Sequence, residues 1–358
     1  MKSIAITTLL VASIAAAYGQ GRVFTMTNAA AGNSLVVLTR QVNGTINSLT
    51  AVPTQGLGLG AGLGNQSGLA LDDSSTWIAV VNAGDNTVSL FRNTQANPQF
   101  VSRFPSGGAH PISVTWNRNR LYVLNDGDGI TPPGIQGFVV APNGVASPIA
   151  GGSAPLSAPT ADPAQIKFSP RGDTLVVTEK NTNLLDVFTV NNAGAISGVS
   201  FVPSAGTTPF GFDFDERGRL FVSEAFGGAA LGSATSSYSL DNMGGLNVLS
   251  AAIPTQQTAA CWLDVSPKGS WAYVGNAGSG SLSTYEISNT GTISLLGSTP
   301  LGAGARALDT ATSRNGLFVH AINGAAGSVV TFRVSFDGTL TKIDEDVVMP
   351  GINGLAAL

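Results

Sequence analysis

The chain is short of charge, cysteine and histidine. Of 358 residues only 11% are Asp, Glu, Lys or Arg, and there are two histidines and one cysteine. So little charge excludes a solvated long-helix protein, and 43% hydrophobic residues exclude a disordered chain. No run of Lys or Arg stands out and the net charge is −4, so neither nucleic acid nor an anionic membrane is an expected partner. The lone Cys261 excludes an intramolecular disulfide. It lies in the apolar run "ACWLDV" and reads as a small buried hydrophobe. No Cys/His cluster has zinc spacing, and "NDGDGITPPG" (125–134) lacks the remaining ligands of a calcium loop, so no metal and no cofactor is expected.

Long hydrophobic runs are absent too, except at the start. Lys2 followed by "IAITTLLVASIAAA" (4–17) and the small residues Ala17 and Gly19 predicts a signal peptide over 1–19. The run is short for a membrane span, so the expected product is a secreted, soluble chain from Gln20 onward, extracellular or attached to a cell wall. In that compartment Asn43-Gly-Thr and Asn65-Gln-Ser are candidate glycosylation sites.

What is plentiful is glycine, with 45 residues, set among Val, Leu, Ile, Thr and Ser. That mixture favours short strands and tight turns. The strands recur as a phrase. "AQIKFSPRGDTLVVTEKN" (164–181), "CWLDVSPKGSWAYVGNAG" (261–278) and "ARALDTATSRNGLFVHAIN" (305–323) share one pattern: an apolar strand, a turn with Pro or Gly, a second strand ending in Asn or Glu, then further strands. The phrases begin near Gly68, Pro111, Pro163, Pro209, Ala260 and Ala305, roughly 43 to 52 residues apart, the period of a four-stranded propeller blade. A seventh copy is split. "INGLAAL" (352–358) is a first strand with nothing after it, and residues 22–52 are later strands with nothing before them. Pairing the two ends closes a ring without a free edge. The predicted architecture is all-β: one seven-bladed β-propeller over 20–358, with antiparallel blades and the last blade closed by both termini. A six-bladed ring with a loose N-terminal segment is the alternative.

Antiparallel pairing puts the start of strand one and the end of strand two on the same face. His110, Gln165 and Arg306 open first strands, as do Gln66, Ala164 and Phe210. Asn125, Glu179, Glu224 and Asn276 close second strands. The expected site is therefore one channel mouth, with His110, Glu179 and Arg306 as catalytic candidates and Gln165, Glu224, Asn125 and Asn276 as binding candidates. Asn before a turn also has a purely local use, as turn chemistry.

On these residues the chain resembles the seven-bladed lactonase propellers, which include 6-phosphogluconolactonase and the fungal carboxy-cis,cis-muconate cyclase. "AYVGNAGSGSLSTYEI" (272–287) also resembles the wider YVTN propeller repeat. The resemblance implies active residues at His110 in "AHPISV", Glu179 in "VVTEK" and Arg306 in "GARALD". It also implies an Arg-His pair after a proline where this chain has Pro163-Ala164-Gln165, so a carboxylate or phosphate anchor is missing. Two functions remain. One is lactone hydrolysis or lactone-forming cyclisation, with Arg306 stabilising an oxyanion and Glu179 or His110 moving the proton. The other is a non-catalytic extracellular propeller that holds a small lactone or carboxylate, a glycan or a protein.

Overall fold

The structure, a computed structural model, describes residues 20–358 apart from Asn242. The predicted signal peptide lies outside the described residues. Seven four-stranded antiparallel sheets stand around one axis. In six of them the strands follow chain order, from the channel outward. In the other, which we number blade 1, Asn353–Ala357 is the innermost strand and pairs with Gly21–Met26. Val23 lies opposite Ala357, Phe24 opposite Ala356 and Thr25 opposite Leu355. The N–H of Leu358 extends the pairing by donating to the carbonyl of Arg22 at 2.8 Å. The ring is thus closed by the two ends, and the six-bladed alternative falls.

Burial follows from this stacking. Inner strands are covered on both faces by neighbouring blades, so Thr174–Glu179 and Phe318–Asn323 are buried at every position. Outer strands meet water, and Ile196–Pro203 has no buried residue. The hairpins use the turn chemistry written in the repeat. In "SPRG", Gly172 takes φ +71° and donates its N–H to Ser169 at 2.8 Å. Inner strands are also joined blade to blade. Phe212 N–H donates to Gln165 (2.7 Å), Val265 N–H to Asp213 (3.0 Å) and Thr312 N–H to Asp264 (2.6 Å).

The channel is not open from end to end. Before the first strand of blade 2 (Leu69–Leu71) the segment Asn65-Gln66-Ser67 crosses it. Asn65 donates to Ile112 of blade 3, accepts from Asn353 of blade 1 at 2.8 Å, and its carbonyl takes the Trp262 indole N–H of blade 6 at 2.8 Å. Gln66 N–H donates to Ala164 of blade 4 at 3.0 Å. Ser67 accepts from Val114 N–H of blade 3 at 2.9 Å and from Gln165 of blade 4 at 3.3 Å. Blade 5 meets the plug through Gly211, where any Cβ would strike the Gln66 amide. Asn65 is completely buried. The Asn65 amide is thus structural, bonded to blades 1 and 3, which disfavours it as a glycan acceptor. Asn43 is exposed in the turn after Ser34–Arg40 and accepts from Thr45 N–H (3.0 Å) and hydroxyl (2.9 Å).

Candidate active site at the upper mouth

In five of the seven blades the first strand is led in by a residue held by the chain just past the second strand beside it. His110, Asp162, Thr208 and Ala259 occupy this place, with φ between +49° and +57°. Their carbonyls accept from the residue just beyond the end of strand two: Asp126 (2.9 Å), Lys180 (3.1 Å), Ala225 (2.9 Å) and Ala277 (2.8 Å). Arg306 is held in the same way by Gly324 N–H at 2.8 Å. These two positions, the lead-in and the residue past the closer, form the rim. They bring His110, Asp126, Asp162, Lys180 and Arg306 to one face. Inside the rim, Ala164, Phe210, Cys261 and Trp262 form an apolar cluster, with Leu308 packed against it. The Phe210 and Trp262 rings stand 5.1 Å apart.

The charges are unevenly committed. Lys180 pairs with Asp162 at 2.9 Å, donates to the carbonyl of Gly64 at 2.8 Å and lies 5.3 Å from the Phe210 ring centroid. Arg306 is exposed, and its guanidinium has no hydrogen-bond or ion-pair partner among the described residues. Burial pushes the Cys261 thiol up to about 12, and the positive fields of Lys180 and Arg306 act against that rise. Burial also raises Asp126 above the usual carboxylate range, opposed by Lys180 and reinforced by Asp162, with His110 close enough to act on it.

The strand-two closers do different work from that expected of them. Glu179 is completely buried. It accepts from Ser157 N–H at 2.9 Å and from the hydroxyls of Ser157 and Thr182. Asp186 of strand three lies against it and is raised to about 9, by burial first and then by sharing a hydrogen bond with Glu179. Glu224 accepts from Gly206 N–H (2.7 Å), Ser204 (3.0 Å) and Ser236 (2.7 Å), and burial raises its pKa. Asn276 donates to Ser281 (3.1 Å) and Ser283 (3.0 Å), and Asn125 to the carbonyl of Ser106 at 3.5 Å. All four tie the loop before strand one, or strand three, to the middle of the blade. On this ground Glu179, Glu224 and Asn276 are read as ties within their own blades, whereas Asn125 also lines a cavity of about 260 Å³ with Gly107, Gly108 and Pro133. A carboxylate that caps its own loop does the job amides do in other blades. Gln165 is likewise completely buried, held by Phe212 N–H and Ser67. Ala164 has no exposed surface, so an arginine there would need the plug to move.

His110 and Arg306 do reach the mouth. Asp126, Lys180, Asp162 and Trp262 join them and were not singled out from the sequence as site residues. The signal was one register step away, directly after the closers in "LNDG" and "VTEK" and before the openers.

A family profile described as "Lactonase, 7-bladed beta-propeller" matches residues 148–225 and 231–355, more than half of the chain. The protein belongs to that lactonase family of seven-bladed propellers. Among solved structures it is similar to the Pseudomonas aeruginosa periplasmic gluconolactonase, at 15% identity and TM-score 0.76, covering 95% of this chain and 99% of that one. It is also similar to a protein of Bacteroides uniformis provisionally named 6-phosphogluconolactonase, at 17% identity and TM-score 0.75, with the same two coverages. At these identities the likeness is one of fold. No curated protein sequence matches the chain.

Proposed function

We propose that the protein is a secreted lactonase-type propeller whose upper mouth takes a small anionic lactone. The observation that carries this reading is that Lys180 and Arg306, from blades 4 and 7, stand on the rim around the apolar cluster of Phe210, Cys261 and Trp262. Arg306, with no competing partner, anchors a carboxylate or the developing oxyanion. The apolar walls Phe210, Trp262 and Leu308 receive the ring. Asp126 replaces the buried Glu179 as proton acceptor. Its half-buried carboxylate, whose pKa burial raises, takes a proton from water as the water oxygen bonds to the lactone carbonyl carbon. The ring C–O bond then breaks, and the leaving oxygen takes a proton from protonated Asp126 or His110. Run backward, the same steps close a lactone.

A second reading, a mouth that binds without turnover, is favoured by one observation. The Lys180 ammonium is already engaged inside the protein by Asp162 and the Gly64 carbonyl, with the Phe210 ring beside it. Fold kinship does not choose between the two. Assay of the purified protein against a panel of neutral and anionic lactones does. Saturable hydrolysis of an anionic lactone, lost in Arg306→Ala, supports the first reading. Saturable binding of a lactone or hydroxy acid without turnover supports the second.

A further inference from the structure

On the face opposite the mouth, the blades are latched together by arginines. Arg22 of blade 1 reaches the carbonyl of Thr94 in blade 2 at 2.6 Å, and Arg92 of blade 2 reaches Pro142 in blade 3 at 2.7 Å. Arg120 reaches Asn191 at 3.2 Å, Arg171 reaches Asp241 at 3.1 Å and Arg219 reaches Asn289 at 2.9 Å, each in the next blade. Arg333 of blade 7 reaches Asn43 of blade 1 at 3.0 Å. In every case the acceptor is a main-chain carbonyl in or beside the outer hairpin turn. One junction, from blade 6 to blade 7, has no such latch among the described residues.

Two of these latches, from blades 2 and 7, start at one shared register position. In blade 2 the latching Arg92 sits opposite Trp77, with its guanidinium 4.4 Å from the ring centroid. In blade 7 the latching Arg333 sits opposite Phe318. Blade 6 keeps the aromatic residue, Trp271, but puts Glu286 opposite it. The rest of the joint is conserved within the molecule. Gly338 of blade 7 lies against the Trp271 ring as Gly144 of blade 3 lies against Trp77. Phe336, two residues before Gly338 as Pro142 is before Gly144, is fully exposed. Where the latch would lie there is a groove of about 720 Å³, walled by Trp271, Leu317, Val334 and Phe336. Lys268, Arg314 and Asp337 also line it, and Glu286 stands beside Trp271, so the charges around it balance. Arg314 is already turned to the carbonyl of Asp73 at 3.3 Å.

We propose that this groove is a binding site for an arginine side chain presented by a peptide segment of a partner protein. The guanidinium stacks on Trp271 beside the Glu286 carboxylate and donates to the main-chain carbonyl of Phe336, the counterpart of Pro142. Its alkyl stem lies along Phe336. The blade 2 to blade 3 joint is the internal template, with the incoming arginine taking the place of Arg92. A lysine fits worse, because a compact ammonium neither stacks flat on an indole nor forks between acceptors. The site lies on the opposite face from the mouth and does not depend on lactone chemistry.

The test is a titration of the full chain with acetyl-Gly-Arg-Gly-amide, followed by the NMR signal of the Trp271 indole N–H, with the lysine peptide as comparison. A saturable shift is expected, about tenfold weaker for lysine. Glu286→Arg supplies the missing latch within the chain, so it should raise the melting temperature and abolish the peptide response. Absence of a saturable shift overturns the proposal. So does a response that fails to distinguish arginine from lysine, or a Glu286→Arg protein that melts no higher and still binds the peptide.

Discussion

The side-chain amide of Gln66 forms a two-way pair with the main chain of Leu263. Its Nε2 donates to the Leu263 carbonyl at 2.7 Å, and its Oε1 accepts from the Leu263 N–H at 2.9 Å. Gln66 leads into blade 2 and Leu263 lies in the first strand of blade 6, so one side chain spans the channel. Gln66→Ala leaves a buried donor and a buried acceptor without partners. Each costs about 1–3 kcal/mol. The expected loss is therefore about 2–6 kcal/mol in urea unfolding. A loss below about 0.5 kcal/mol for Gln66→Ala, the size of an ordinary surface change, would show that the plug is not a structural strut.

The carboxyl pair Glu179–Asp186 makes stability depend on pH in a stated direction. Asp186 is raised in the folded protein to about 9, so the native state holds a proton that the unfolded chain releases near pH 4. This contribution is fully present below about pH 4 and is lost as pH rises through about 9. His320, buried against Thr331 at 3.0 Å, is lowered to about 3, by burial first and then by Arg40. Its contribution has the opposite sense, present above about pH 6.5 and lost as pH falls through about 3. Denaturant melts from pH 4 to 9 should show Asp186→Asn losing less stability than wild type as pH rises. Parallel pH profiles for the two proteins would remove the shared proton from the account.

The two sequons should part company in protein exported by a eukaryotic secretory route. Asn43 stands in an exposed turn, whereas the Asn65 amide is buried and bonded to blades 1 and 3. Peptide mapping after enzymatic deglycosylation in heavy-oxygen water should mark Asn43 and leave Asn65 unmarked. Folded, secreted protein carrying a glycan at Asn65 would contradict the position of the plug.

The ring was legible because its parts are periodic. Six repeats and the split ends "INGLAAL" and 22–52 specify blade count and closure without any long-range information. The plug was not legible. Asn65-Gln66-Ser67 precedes a strand in a glycine-rich stretch, and its partners lie as far as 197 and 288 residues away. The mouth was half legible. Antiparallel geometry found its face and both His110 and Arg306. The closers misled because Glu179 and Glu224 lack the turn chemistry that excuses an Asn, yet they cap loops as the amides do. Only serine hydroxyls and main-chain N–H groups brought in from neighbouring loops reveal that use. Position alone could not separate them from Asp126 and Lys180, one residue further along the chain.

The most direct test of the mouth as an anionic-lactone site is steady-state hydrolysis of a carboxylated lactone by wild type, Arg306→Ala and Asp126→Asn. Wild type should accelerate hydrolysis saturably. Arg306→Ala should lose about 1.5–3 kcal/mol of interaction with the anion, seen mainly as a higher KM. Asp126→Asn should lower kcat by about a hundredfold or more with KM little changed. If wild type neither hydrolyses nor saturably binds any lactone or hydroxy acid in the panel, or if both variants match it, the mouth is not the site.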